Sequence, residues 1–466
     1  MKPPHSSLLI LLPVATSVVI LVYLLVSMIL VSNYDFSAPT SISPASSPTT
    51  ADHIFFAISS SKNSWPKQKP LLELWWRPRK THGCVFMDAV IPSKENASTS
   101  VSPPLCVSQD ASRFRYTYRN GPRWAVRVAR IVSEAVNMSL PGVRWFVFGD
   151  GDTVFFPDNL AKTLSKYDHE LWHYVGTSSE SFEQNKVFGF DMAFWGAGIA
   201  LSSSLAKVLG KVLDSCLHRY PHLFGSDGRI HACLAELGVG LTHEPGFHQM
   251  DMRGNAFGLL AAHPLTPLVS LHLAGQTQSI FPSMTPVKAL ENLFKAANTD
   301  SERIFQQTVC YDRWFSWTMS VSWGYAVEVF DHHIFLPDVL RPQETFEHWK
   351  KGSDLSGAYT INTRPVHPDP CRRSTIFFLD SVSSERNGII KTKYRRSLPE
   401  NCTYDALTSP KKLEEIIVLS KKLRLTIKQL QAPRRHCCDV LPPLTKRIME
   451  VSIRECKEDE LIHMHA

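Results

Sequence analysis

The ten cysteines of this 466-residue chain include no Cys-x-x-Cys pair and no metal-finger spacing; Cys437 and Cys438 are simply adjacent. That absence excludes a zinc-finger module. No internal repeat is present, which excludes a repeat architecture. A dominant charge is also missing: the formal net charge is only +7, with both signs interspersed over most of the length. The short basic clusters Arg77-Pro78-Arg79-Lys80, Lys393-Tyr394-Arg395-Arg396 and Arg434-Arg435 read as solvated surface, so no nucleic-acid partner is expected. The mild basic excess still helps attract an anionic ligand.

Two local absences concern the N-terminus. From Leu8 to Val31 there is no charged residue, and the run exceeds the roughly 20 apolar residues that cross a bilayer. Ile29-Leu30-Val31 offers no small-x-small cleavage site. The expectation is a cytosolic tail over residues 1–7 and a transmembrane signal anchor over 8–31, with Lys2 on the cytosolic side and Asp35 beyond the far end. Cleavage, the alternative, also translocates the body. Residues 32–52 are Ser/Thr/Pro-rich, lack the apolar content to build a core, and read as an extended stem. A luminal body fits three glycosylation sequons, at Asn96, Asn137 and Asn401. It also fits paired cysteines. The sequence leaves the pairing open; the candidates are Cys216 with Cys233, Cys84 with Cys106, and Cys402 with Cys437 or Cys438.

What is present centres on Gly149-Asp150-Gly151-Asp152, directly after the apolar run Val143–Phe148, which reads as a buried strand. Two carboxylates one residue apart on a loop leaving a strand form a hard oxygen pair suited to Mn²⁺ or Mg²⁺ and a substrate phosphate. The same residues also favour an ordinary turn. Strands are expected at His53–Ile58, Cys84–Met87 and His173–Gly176. Helices are expected over Leu71–Trp76, from Gly121-Pro122 to Met138 with Trp124 on its apolar face, from Asp158 as its cap, and over Ser203–Arg219 and Asp227–Leu237. This alternation gives an α/β class with ligand loops at strand carboxyl ends. With an Asp-x-Asp pair, the natural fit is the GT-A glycosyltransferase fold, a Rossmann-like sheet, over residues 53–298. Period-two stretches at Trp317–Trp323, Tyr325–Val329 and Thr375–Leu379 mark residues 299–466 as a β-rich C-terminal domain.

Longer strings carry a resemblance. Leu74-Trp75-Trp76-Arg77-Pro78, Ser112-Arg113-Phe114, Val143-Arg144-Trp145-Phe146-Val147 and Gly151-Asp152-Thr153-Val154-Phe155 stand in order. They are followed by Lys166-Tyr167-Asp168, Arg219-Tyr220-Pro221, Cys233-Leu234-Ala235-Glu236-Leu237-Gly238 and Gly246-Phe247-His248-Gln249, then by Phe257–Pro264 and Val321-Ser322-Trp323-Gly324-Tyr325. Together they are similar to the plant fringe-related branch of glycosyltransferase family 31. The resemblance implies a single-pass type II Golgi membrane protein. It further implies an inverting β-1,3-glycosyltransferase that moves a hexose from a UDP-sugar to a glycan or glycoprotein acceptor with Mn²⁺ (or Mg²⁺).

Four departures from that pattern bear on the site. The family's Asp triplet keeps Asp150 and Asp152 but has Gly151 between them, leaving Asp152 as the direct metal ligand with Asp150 assisting. The family's base position holds Gly228, so Asp227 either serves as base from one position earlier or caps its helix. The late histidine pair is reduced to His272 followed by Leu273; His272 either ligates metal or is an ordinary polar residue. In the turn Phe194-Trp195-Gly196-Ala197-Gly198, Gly196 and Gly198 let backbone approach a sugar, while Trp195 either stacks on the sugar or fills the pocket. These changes keep two function classes open: an active metal-assisted transferase, and a catalytically weakened or inactive pseudoenzyme that binds a glycan, a nucleotide or a partner.

Overall fold

The computed structural model describes residues 20–26, 47–91, 102–138, 141–273, 277–350, 352, 358–397, 402–405, 407–442 and 445–462. The chain divides into two units, Met1–Pro48 and Thr49–Ala466. In the first, residues 20–26 are helical (α1) and exposed. The rest of the expected anchor over 8–31, and the stem up to residue 46, lie outside the described residues. Among the described residues no helix is long and apolar enough to cross a membrane.

The second unit opens on strand β1 (Ile54–Ser59), in which Ile54, Phe56 and Ile58 face one core layer and Phe55 and Ala57 the other. Both faces are covered, so the strand reads as an unbroken apolar run. There follow α2 (Trp65–Trp75), β2 (His82–Met87), β3 (Leu105–Val107), α3 (Ala125–Asn137), β4 (Trp145–Asp150), β5 (Val154–Phe155) and α4 (Pro157–Leu164). Next come β6 (Tyr174–Gly176), α5 (Phe182–Phe188), β7 (Ile199–Ser202), α6 (Ser203–Arg219), α7 (Ser226–Glu236) and β8 (Leu241–His243). Among the described residues, the central sheet runs β3-β2-β1-β4-β7-β6-β8. Strand β1 pairs in parallel with β2 and β4, so the carboxyl ends of β1 and β4 lie side by side with Ser59 opposite Asp150. A mixed α/β layer structure on such a sheet fits a GT-A-like fold.

Short strands β9 (Gln249–Met250) and β10 (Met252–Gly254), helix α8 (Phe257–Ala261), β11 (Ser270–Leu273) and α9 (Pro286–Thr299) follow. Strand β11 runs antiparallel to β5 and parallel to β9, a three-stranded patch beside the main sheet. The remaining strands are β12 (Gln307–Tyr311), β13 (Thr318–Ser322), β14 (Ala326–Phe330), β15 (Phe346–His348), β16 (Thr375–Ser384), β17 (Ile389–Arg396), β18 (Glu415–Lys421), β19 (Cys437–Val440) and β20 (Ile448–Arg454). All of these but β15, which pairs with β10, form one mainly antiparallel sheet, in which β18 and β20 run parallel. Its inner face (Met319, Val321, Tyr325, Tyr394, Val418) belongs to the same apolar cluster as Ile54, Phe56 and Trp145 of the first sheet. The two sheets therefore share a core.

Several local expectations are corrected. Asp158 does not cap α4: Phe156 holds that position, and Asp158 pairs with Arg77 at 2.9 Å. Trp124 precedes α3 and is exposed rather than part of its buried face. All ten cysteines are paired. Cys84–Cys106 and Cys216–Cys233 form as expected, but Cys402 pairs with Cys371, Cys438 with Cys310, and Cys437 with Cys456. Strand β19 pairs with β20 and also packs against β12, so its two adjacent cysteines point to different partners, as neighbours on a strand must.

Candidate active site

Asp150 is the last residue of β4, and its carboxylate accepts a hydrogen bond from Ser59 Oγ at the parallel position of β1. The chain then turns tightly: Thr153 N–H donates to Asp150 O at 3.0 Å, and Asp150 N–H donates to Thr153 Oγ1 at 2.9 Å. Thr153 Oγ1 in turn donates to the carbonyl of Gly196 at 2.6 Å, which fixes the Asp-x-Asp turn against the 194–198 turn. A Cβ on Gly151 would lie 2.3 Å from Gln68 Oε1, the end of a flexible side chain that would have to turn away. Gln68 thus lies beside Gly151, its Oε1 accepting from Ser60 Oγ at 2.7 Å.

Register brings in the third group. Leu271 of β11 lies opposite Val154 of β5, and His272 lies opposite Gln249 of β9. His272 Nε2 consequently sits 3.6 Å from Asp152 Oδ1. Ligand atoms of Asp150, Asp152 and His272 lie within 4.8 Å of one another, a set able to hold a metal ion. Burial and the neighbouring Asp152 charge push Asp150 up to about 6. Burial also opposes ionisation of Asp152, but the hydrogen bond and charge of His272 outweigh it and hold Asp152 low. Burial disfavours a charged His272, yet Asp152 and Asp150 raise it to about 9. The site is an anionic well that attracts a cation. His272 Nδ1 and Gln249 Oε1, both buried, have no partner among the described residues. Two carboxylates and an imidazole suit a hard to borderline divalent cation. A cavity of about 350 Å³ opens on Asp152, with Lys67, Gln68, Leu71 and Leu273 in its walls.

Asp227 lies near enough to Asp150 to feel its charge. It does not cap α7, whose N-cap is Gly225; its Oδ1 instead accepts from Trp195 N–H at 3.2 Å and from Ser226 Oγ. Burial, then the charge of Asp150, push its pKa up to about 7. The next residue, Gly228, is open: a Cβ there meets no described atom within 4 Å.

The other site expectations divide. Gly196 is at the centre, because a Cβ would lie 2.8 Å from His272 Nδ1. Gly198 adopts φ +98°, and a Cβ there would strike the Phe155 ring at 2.7 Å, so it shapes the turn into β7 from inside the core. Trp195 is corrected: its ring is buried against Phe148 at 5.2 Å and is not available to stack on a sugar. Asn137 is exposed at the end of α3, whereas Asn96 and Asn401 lie outside the described residues. Sequence reasoning missed Ser59, Gln68, Thr153 and Gln249, common polar residues whose positions carry no local motif.

A family model described as "Protein of unknown function, DUF604" matches residues 184–438, more than half of the chain. The chain belongs to this DUF604 family. A Fringe-like family model matches residues 49–257, including Asp150, Asp152, Gly196 and Asp227. Together the matches support a fringe-like glycosyltransferase of the family 31 type, an enzyme class that often uses a divalent metal. In this DUF604 member the metal-competent cluster straddles both matched regions, since His272 lies beyond the Fringe-like one. No curated protein matches the chain.

Proposed function

We propose that this DUF604 chain is an inverting β-1,3-glycosyltransferase of the plant fringe-related branch, moving a hexose from a UDP-sugar to a glycan or glycoprotein acceptor. The observation that carries the reading is the convergence of Asp150, Asp152 and His272 within 4.8 Å at the carboxyl end of β4. A Mn²⁺ or Mg²⁺ ion held by these three supplies Lewis-acid stabilisation to a diphosphate leaving group. Asp227 takes the proton of the attacking hydroxyl. Its pKa of about 7 suits that role, since a general base works best when its pKa lies near the working pH. The Trp195 N–H holds the carboxylate in place, and Gly196 keeps the cleft open beside His272.

The full pairing of the cysteines supports an oxidising, luminal setting. We place the chain as a single-pass type II Golgi protein anchored by residues 8–31, which carbonate extraction and endoglycosidase shift would test. The activity is tested by titrating the purified chain with UDP with and without Mn²⁺, and by measuring Mn²⁺-dependent UDP release. Asp152→Ala should abolish both. Equal release by Asp152→Ala and the parent sinks the metal assignment. Tight UDP binding with no release from any donor favours the pseudoenzyme reading, which Gly228 at the base position motivates.

A further inference from the structure

The end of strand β18 carries basic residues that the transferase chemistry does not use. Lys391 of β17 stands opposite Leu419 of β18, and Lys421, two residues on, shares that sheet face. The chain continues as Lys422-Leu423-Arg424-Leu425, with Lys422 and Arg424 exposed on either side of buried Leu423. Side chains of residues 300–303 clamp this segment by its backbone. Arg303 Nη2 donates to the carbonyl of Lys421 at 2.9 Å, Leu423 N–H donates to Asp300 Oδ2 at 3.0 Å, and Leu425 N–H donates to Glu302 Oε2 at 2.6 Å. Asp300 and Arg303 also pair with each other at 3.2 Å, which uses up their charges. Lys391, Lys421, Lys422 and Arg424 have no ion-pair partner among the described residues.

These four side chains line a cavity of about 720 Å³. A second cavity, of about 250 Å³, joins it, because Leu423, His436 and Glu455 wall both. Arg435 stands in the second. Its Nη1 donates to the carbonyl and to Oε1 of Gln307, both at 3.3 Å. Its Nε and Nη2 have no partner among the described residues and are not closed off from solvent. No carboxylate pairs with it, and burial pushes it down to about 10, so it stays charged at neutral pH. An arginine with an open N–H edge is a ready donor fork for a carboxylate. Glu385, Glu450 and Glu455 are the acids in the walls, and none of them stands within ion-pair distance of these cations. The two cavities make one furrow with an unspent positive charge.

Such a furrow takes an extended anion, and its walls narrow the class. Apart from the His436 imidazole no aromatic ring lines it, so it lacks the platforms on which nucleic-acid bases or neutral sugar rings stack. None of the large exposed apolar side chains stands in its walls, which leaves a bilayer without an anchor. Strands β17, β18 and β20 are each paired on both sides, so an acidic peptide finds no open edge to join as a strand. We infer that the furrow binds a carboxylate-bearing glycan, a chain of hexuronic acid units whose carboxylates meet Arg435 at one end and Lys391, Lys421, Lys422 and Arg424 along the rest. The word glycan rests on the transferase reading above and names an acidic acceptor chain as its substrate class; the anion site itself does not rest on it.

The test is fluorescence anisotropy of labelled oligogalacturonate with the purified full-length chain, without UDP. The probe should bind and should weaken steeply as salt rises. A triple variant, Lys421→Gln, Lys422→Gln and Arg424→Gln, changes only exposed side chains. It should weaken binding by about tenfold or more, the scale of losing several charge-assisted contacts. Arg435→Gln should weaken it as well. A charge-matched control, Lys80→Gln, Lys207→Gln and Lys211→Gln, removes exposed cations elsewhere and should bind like the parent. No binding of the probe, or equal weakening in the control, overturns the proposal. So does equal binding of a neutral galactan, or binding of dextran sulfate or phosphatidylserine vesicles in place of the uronate. UDP binding with Mn²⁺, measured on the same samples, separates the two readings. UDP binding without uronate binding removes the furrow's role and leaves the transferase. Uronate binding without UDP binding keeps the anion site and removes the transferase.

Discussion

Gly196 lies so close to His272 that a Cβ on the glycine would stand 2.8 Å from the imidazole Nδ1 and 2.7 Å from Oε1 of Gln249. Both atoms belong to side chains of the paired strands β9 and β11, so an alanine here pushes the imidazole and the amide aside. Gly196→Ala should therefore lower stability by about 1–3 kcal/mol, the usual cost of overpacking, and displace His272 from Asp152. A thermal-shift series in Mn²⁺ checks this. If Gly196→Ala keeps the Mn²⁺-induced rise in Tm of the parent, His272 is not part of the cation site.

Asp227 and Gly228 make a contrasting pair. Asp227→Asn should cut transfer by roughly 10²–10⁴-fold, the range for loss of a general base. In the parent, transfer should rise with pH and level off above about 7, because only the ionised carboxylate of Asp227 accepts a proton. The variant should lose that rise. Gly228→Asp meets no described atom within 4 Å of its Cβ. It should fold normally, and an acidic residue in the first turn of α7 should stabilise by about 0.3–1 kcal/mol. Recovery of transfer in the double variant Asp227→Asn, Gly228→Asp would show that the two positions serve one base. A fully active Asp227→Asn protein would remove it from the mechanism.

The Glu180–His248 pair predicts a pH effect on stability. Burial raises Glu180 from 4.5 to about 8 and lowers His248 from 6.5 to about 4. Between pH 4.5 and 6.5 the folded pair and its unfolded counterpart each hold one proton, so stability is flat. Above 6.5 the unfolded histidine releases its proton while the folded carboxyl keeps its own, and stability falls up to about pH 8. The fall should be about 2 kcal/mol, from 1.36 kcal/mol per pH unit. Urea titrations at a series of pH values measure it. Glu180→Gln should flatten the slope; a slope unchanged in that variant assigns the effect to another group.

Disulfide loss should scale with the loop closed. Cys310–Cys438 spans 128 residues and Cys371–Cys402 spans 31. Replacing both cysteines of the longer pair by alanine should cost about 1 kcal/mol more than doing so in the shorter one, by loop entropy. Chemical denaturation of the two double variants provides the comparison, and equal losses would count against it.

The legible part of the site is local. Asp150 and Asp152 stand one residue apart after an apolar strand, and that spacing is readable because β4 is buried on both faces and must end in a polar turn. Helix α6 is readable over its full range for the same kind of reason, a sustained apolar face. The expected cap at Asp158, and the cap alternative for Asp227, give way where a longer-range partner takes the side chain. Asp158 pairs with Arg77, and Asp227 accepts from Trp195 N–H across to another turn. Local propensity for a helix start is worth about 1 kcal/mol, which a charged or buried partner readily overrides. Trp195 was ambiguous because a residue in a turn does not announce which face its ring will take.

By itself, then, the sequence determined the α/β alternation, the Asp-x-Asp turn and the β-rich character of the later chain, and its candidate pairings included two of the five disulfides. Those features depend on neighbours within a few residues, where periodicity and turn chemistry act. Only the tertiary structure decided that His272 meets Asp152 and that Gln68 fills the place beside Gly151. It also decided that residues 359–362 wall a cavity with Glu180. Each of these rests on strand register and on segments far apart in the chain brought together by a shared apolar core, and register is set by the whole packed molecule.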